Sequence, residues 1–159
     1  MKRFLVFSGK VIVAHLITYW VIGGLAYSLI TWQFYTGENP VFSSFMVTQS
    51  DTLLWQKVMI WILPGQILRG FLMTIVLFPF FDILCSWSYI KRWLVLTGVY
   101  LIFGFWASAV AAPGTIDGMI YMRPEINAKA HLFVQPEIIL QGFLMMAWIA
   151  KWMKPKSKQ

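Results

Sequence analysis

The sequence predicts an all-α, polytopic membrane protein whose four transmembrane helices form two tandem helical hairpins. Three observations lead there: an excess of apolar residues, four long hydrophobic runs, and a motif that occurs twice. Of the 159 residues, 59% are hydrophobic and 18% aromatic, and 12% are charged, with a mean hydropathy of +0.69; average soluble domains carry roughly 25% charged residues. A soluble fold of this length cannot bury so much apolar surface, because its water-facing area stays large. The length suits a single integral membrane domain, residues 1–159.

The motif is LPGQILRGFLM at Leu63 to Met73, echoed by QPEIILQGFLM at Gln135 to Met145. Aligning Pro64 with Pro136 pairs Arg69 with Gln141 and Gly70 through Met73 with Gly142 through Met145. Both copies follow a run that carries a Gly-xxx-Ser pair, Gly24/Ser28 and Gly104/Ser108. A hairpin repeated in parallel, with an axis along the membrane normal, accounts for both features.

In chain order, residues 1–10 form a basic lead expected at the interface, with Lys2, Arg3 and Lys10 in water. The first span is expected at about 11–32, long enough for a core of roughly 30 Å. Its Gly23, Gly24, Ala26 and Ser28 make a small-residue stripe suited to helix packing. Gly37, Glu38, Asn39 and Pro40 then open a loop. A short interfacial helix from Leu53 is expected to break at Pro64 and Gly65 into the second span, about 63–84, because one continuous helix would be too long to stand upright. Pro79 is placed to kink its far end. Lys91 and Arg92 are read as the turn before the third span, 93–112. A second loop carries Asp117, Arg123, Glu125, Asn127, Lys129 and His131, and a short interfacial helix leads into the fourth span, 136–152. The tail, 153–159, is basic.

Charge sets the expected orientation. Lys2, Arg3, Lys10, Lys91, Arg92, Lys151, Lys154, Lys156 and Lys158 fall on the side of the termini, against Lys57, Arg123 and Lys129 on the other. The positive-inside rule therefore places both termini in the cytoplasm. The net charge of +7 gathers where apolar runs end, which is a membrane pattern, and no nucleic-acid partner is expected. The N-terminal run, interrupted by Lys10, is read as retained rather than as a cleaved signal. Short loops and the absence of an Asn-x-Ser/Thr site favour a bacterial inner membrane.

Arg69 is the residue that calls for a function, because an unpaired Arg near the centre of a span costs roughly 2.5–3.5 kcal/mol on insertion scales. If the repeat holds, Arg69 and Gln141 share one depth, about 8 Å past each proline. Glu137, one turn before Gln141, is the expected acidic partner of Arg69. Gln66 completes a candidate ligand-binding cluster of Gln66, Arg69, Glu137 and Gln141 in the outer leaflet. Asp82 is expected to be solvated or paired with Lys91 or Arg92, His131 to be water-exposed, and His15 to lie near the cytoplasmic end. The one cysteine, Cys85, excludes an intramolecular disulfide. With the histidines at opposite ends, no metal site, haem or other cofactor is expected.

The chain contains no His-Glu-xx-His helix, phosphate-cradling glycine loop or nucleophile elbow. Three function classes remain. The first is a module binding or helping to transport an anionic lipid headgroup or small carboxylate, with membrane lipids as partners. The second is an accessory subunit of a homo-oligomer or larger membrane complex. The third, ranked last because only Arg69 and Glu137 converge, is an enzyme acting on a lipid-linked substrate.

Overall fold

The computed structural model describes residues 1–38, 40–108, 110–122, 126 and 128–153. The loop residues Asn39, Arg123, Glu125 and Asn127 and the tail residues Lys154, Lys156 and Lys158 lie outside the described residues. The described elements are helical, and no strand occurs among them.

Helix α1, Lys2–Tyr35, runs for 34 residues, roughly 50 Å at the helical rise and so longer than a bilayer core. The basic lead is therefore part of the first helix rather than a separate interfacial segment. The reason is aromatic docking: Phe4 meets Phe78 edge-on at 5.1 Å and Phe7 meets Phe81 at 4.8 Å. These contacts hold the lead against the next helix. Two stretches of α1, Tyr19–Gly23 and Tyr27–Thr31, are π-helical.

Helix α2, Thr52–Ser86, begins where the Asp51 side chain accepts the Leu54 N–H at 3.0 Å. The expected break at Pro64 and Gly65 is absent, and Thr52–Leu77 is one α-helix with Pro64 inside it. Proline removes a single ladder hydrogen bond. Here Pro64 and Gly65 face outward and the rest of the ladder persists across them. The helix instead tightens into a 3₁₀ turn at Phe78–Phe80, around Pro79.

Helix α3 comprises Tyr89–Leu101 and a π-helical turn, Ile102–Trp106. It starts before the expected third span because the Ser88 hydroxyl caps it by accepting the Lys91 N–H at 3.4 Å. Lys91 and Arg92 thus lie inside the helix, and α3 ends before the small-residue string from Ala107. On the far side come a 3₁₀ turn, Val41–Ser44, then α4, Ile116–Tyr121, and α5, Ala128–Phe133. Only Val134 separates α5 from α6, Gln135–Trp152. Pro136 occupies the first turn of α6, where its missing N–H has no ladder partner to lose.

Three stretches are long and apolar enough to cross a membrane: Lys2–Tyr35, Thr52–Ser86 and Ala128–Trp152. The main packing pairs are α1 with α2, α3 with α6, and α1 with α6. The starts of α1 and α3 and the ends of α2 and α6 lie at one end, where Phe7, Val11, Leu96, Met145, Ile149 and Met153 belong to one apolar cluster. A second cluster, Phe34, Phe42, Ile126 and Ala130, closes the opposite, loop end.

Two of the helix pairs close on a glycine. A Cβ at Gly70 would stand 2.9 Å from the Ile12 Cα, and one at Gly142 would stand 2.7 Å from Tyr100 Cδ1. The expected small-residue stripe of α1 divides: Ala26 is buried and Gly23 faces α6, whereas Gly24 and Ser28 are exposed. Gly70→Ala is expected to destabilise the protein by about 1–3 kcal/mol, since the obstruction is backbone that cannot rotate away. Gly65→Ala, with nothing within 4 Å, is expected to stabilise by roughly 0.5–1 kcal/mol. Thermal unfolding of the two variants in detergent checks the opposite signs.

Candidate functional site

A polar layer lies between the two apolar clusters, organised by α1. His15 is fully buried, and its Nε2 lies 2.9 Å from Oε1 of Gln66 on α2. With that amide oxygen as acceptor, Nε2 carries the proton and donates. The other ring nitrogen, Nδ1, is then an acceptor, and it has no hydrogen-bond partner among the described residues. Four further buried atoms share that condition, Thr97 Oγ1 on α3 and Gln141 Nε2 on α6 in this layer and Arg92 Nε and Nη1 nearer the start of α3. Thr97 and Gln141 are only 3% and 5% exposed. A buried polar group without a partner costs about 1–3 kcal/mol.

Two ionisable residues flank these atoms. Arg69 is exposed on α2, with its charge within electrostatic reach of His15 and Tyr19 on α1 and of Tyr100 on α3. Glu137, half-buried on α6, lies against the π-helical stretch of α1. A Cβ at Gly23 would come 3.2 Å from its Oε1, so glycine leaves the carboxylate its room. Glu137 in turn acts electrostatically on Tyr19, Tyr35 and Tyr100.

The four sequence-predicted site residues therefore fall on two helices with α1 between them. No hydrogen bond or ion pair joins Arg69 to Glu137 among the described residues. The physical reason is the order of packing: α2 and α6 both pack on α1, and Tyr19 stands within reach of both charges. Gln66 turns to His15 instead of joining Arg69. The levels differ as well. Gly70 faces Ile12 and Gly23 faces Glu137, so Arg69 comes level with about Val13 and Gln141 with about Tyr19, an offset of roughly 9 Å at the helical rise.

Other residues depart from expectation. His15 lies well inside α1 because that helix starts at Lys2. His131 is buried rather than water-exposed, its Nδ1 accepting the Gly114 N–H at 2.9 Å. Gly114 holds a φ of +90°, in the region that favours glycine. Asp82 pairs with Arg3 at 2.6 Å rather than with Lys91 or Arg92. Arg92 is buried, with Nε and Nη1 unpartnered among the described residues. Sequence reasoning missed Tyr19, Thr97 and Tyr100 as members of the layer. His15, Tyr19 and Gly23 do recur at i, i+4, i+8, a face that a helix starting at Lys2 would have made visible.

Comparison of the chain with known protein families, with curated proteins and with solved structures finds no match.

Replacing Gln66 by Leu removes the hydrogen-bond partner of His15 and is expected to cost about 1–2 kcal/mol, the upper range for such a bond between membrane helices. The double variant Gln66→Leu/His15→Phe is expected to lose less than the sum of the single losses. A double-mutant cycle of unfolding in mixed detergent micelles measures the difference, and strict additivity would show that the contact contributes nothing.

Proposed function

We propose that this chain is a small integral membrane protein whose mid-bilayer polar layer binds, or helps to carry, a small anionic group: a lipid headgroup or a carboxylate. The observation that carries this reading is the set of buried, unpartnered atoms His15 Nδ1, Thr97 Oγ1 and Gln141 Nε2, with Arg69 close by. Gln141 Nε2 is a donor, the Thr97 hydroxyl can donate, and the Arg69 guanidinium offers donors only. An anion answers the donors Gln141 Nε2, Thr97 Oγ1 and Arg69, while the acceptor His15 Nδ1 calls for a donor on the ligand, such as a hydroxyl. Arg69 holds the charge in this reading, and Gln141 orients the ligand. Gln66 acts indirectly by fixing His15. Glu137 stands toward the loop end and selects against ligands carrying a second negative charge nearby.

The same reading takes α3 as a fourth span. Its residues 89–106 measure about 25 Å at the helical rise, and Lys91 and Arg92 near its start lower its hydropathy at the terminal end. The tandem-hairpin organisation is supported by the equivalent roles of Gly70 and Gly142, each the close-contact point with its hairpin partner. The distribution of Lys and Arg supports termini on the cytoplasmic side, in a bacterial inner membrane.

A second reading, as a subunit of a larger assembly, draws on the open faces of Gly24 and Gly104, which meet nothing within 4 Å. Small residues exposed on a spanning helix suit close packing by a neighbour.

Native mass spectrometry of the protein released from mild detergent separates the two. A bound small-molecule mass retained by wild type, weakened at least tenfold in Arg69→Gln and in Gln141→Leu, is the expected outcome. A bare mass in wild type, together with self-association that Gly24→Leu or Gly104→Leu abolishes, would transfer the assignment to the subunit reading.

A further inference from the structure

At the end where α1 starts and α6 ends, a cavity of about 470 Å³ opens beside α1, lined by Lys2, Arg3, Val6, Lys10, Phe81 and Trp152, among others. Lys2, Val6 and Lys10 follow one another at helical spacing, so they form a single stripe of α1 facing this space. The opposite walls are aromatic, Phe81 from α2 and Trp152 from α6. On volume alone the cavity falls within the usual range of small-ligand sites, roughly 300–1,000 Å³.

The charges around it are unequally answered. The Arg3 guanidinium donates to Asp82 at 2.6 and 3.3 Å and lies 4.3 Å from the centre of the Phe81 ring. It is thereby fixed and neutralised. Lys2 and Lys10 have no ion-pair partner among the described residues. Lys10 sits about 12 Å further along the helix than Lys2 at the helical rise, which takes its backbone into the membrane from the terminal end. Helical side chains lean toward the N-terminus, so its ammonium is carried back toward Lys2 and the mouth of the cavity. The result is two unpaired cations over an apolar, aromatic-walled space at the depth where headgroups meet acyl chains.

We infer that this cavity is an anionic-phospholipid site, in which Lys2 and Lys10 receive the headgroup phosphate while Val6, Phe81 and Trp152 line the path of the glycerol backbone and upper acyl chain. Free phosphate would satisfy the lysines and leave the apolar walls unused, so the occupant is a lipid. The site is separate from the polar layer and does not depend on the ligand proposed there. Juxtamembrane lysines are drawn to an anionic leaflet in general, and the walled cavity adds retention of one lipid molecule to that attraction.

The test compares the detergent-purified full chain with Lys2→Gln/Lys10→Gln and with Lys57→Gln/Lys91→Gln, which loses the same charge elsewhere. Each is titrated with phosphatidylglycerol or phosphatidylcholine and followed by native mass spectrometry. Phosphatidylglycerol retained by wild type in preference to phosphatidylcholine, at least tenfold more weakly by Lys2→Gln/Lys10→Gln and undiminished in the control, is the expected result. Equal losses in both double variants would reduce the effect to surface charge and overturn the site. Equal retention of phosphatidylcholine, or release of the lipid by millimolar inorganic phosphate, would overturn the lipid assignment. To separate loss of lipid from loss of fold in a variant, quenching of Trp152 by brominated-chain phosphatidylglycerol is measured in wild type, as the fluorescence difference from Trp152→Phe. Quenching of that component is expected, and its absence would likewise overturn the inference.

Discussion

The close approach of neighbouring helices at two glycines, to backbone at Gly70 and to side chains at Gly142, is the contact on which the remaining structure depends. In a bilayer, helices gain nothing by exchanging lipid for one another's leucines, so association rests on how near their backbones can come. Gly70 lets α2 settle onto Ile12 of α1, and Gly142 lets α6 settle onto Tyr100 and Leu101 of α3. Thr74 lies fully buried one turn further along α2 and returns its hydroxyl to the Gly70 carbonyl at 3.0 Å, so even the polar residue at this seam leaves no unmet valence. With these two pairs closed, α1 and α6 pack on each other, and Met145 and Ile149 disappear entirely from the surface.

That closure also creates the polar layer. The apolar clusters occupy the two ends of the bundle, and between them His15, Thr97 and Gln141 lie buried. One hydrogen bond, His15 to Gln66, crosses the α1–α2 seam within the layer. Low polarity makes that bond strong and makes the unanswered valences beside it expensive. A chain selected only for stability would fill such positions with leucine. Buried polar atoms without partners inside a spanning bundle are the feature on which the proposed function draws.

Much of the architecture was legible in the sequence, and the failures have definite causes. Membrane character and helical class follow from composition alone, and the Pro79 irregularity follows from proline chemistry. Pro64 misled because a proline predicts a lost hydrogen bond, and whether the helix bends there is decided by its surroundings. Its neighbour Pro136, with the same sequence context, does stand beside a break. The boundary of α1 misled for a different reason: Lys2, Arg3 and Lys10 resemble an interfacial lead until Phe4 and Phe7 are seen to dock on Phe78 and Phe81. That single displacement put His15 at the wrong depth and hid the face shared by His15, Tyr19 and Gly23. The expected Arg69–Glu137 pair does not form because aligning two similar motifs says nothing of which helix stands between them, and here α1 does.

The placement of the candidate residues on unequal supports bears on how the layer would respond to a ligand. Along the α-helical length Thr52–Leu77 of α2, only Gly70 and Thr74 are buried, so this helix is held by a narrow seam, whereas α6 buries Gln141, Gly142, Met145, Met146, Ile149 and Ala150. Gln66 and Arg69 therefore ride on the helix that is least anchored, and Glu137 and Gln141 on one that is firmly anchored. Few buried contacts mean a low free energy of local displacement. A ligand drawing Arg69 toward Gln141 would move α2 about its contact at Gly70 and leave α6 in place. Pro64, one turn before Arg69 and lacking the N–H that would otherwise stiffen the ladder, is positioned to absorb that motion. The proline of the first motif copy thus lies inside its helix and the proline of the second at a helix start, two placements set by where each copy falls along its helix.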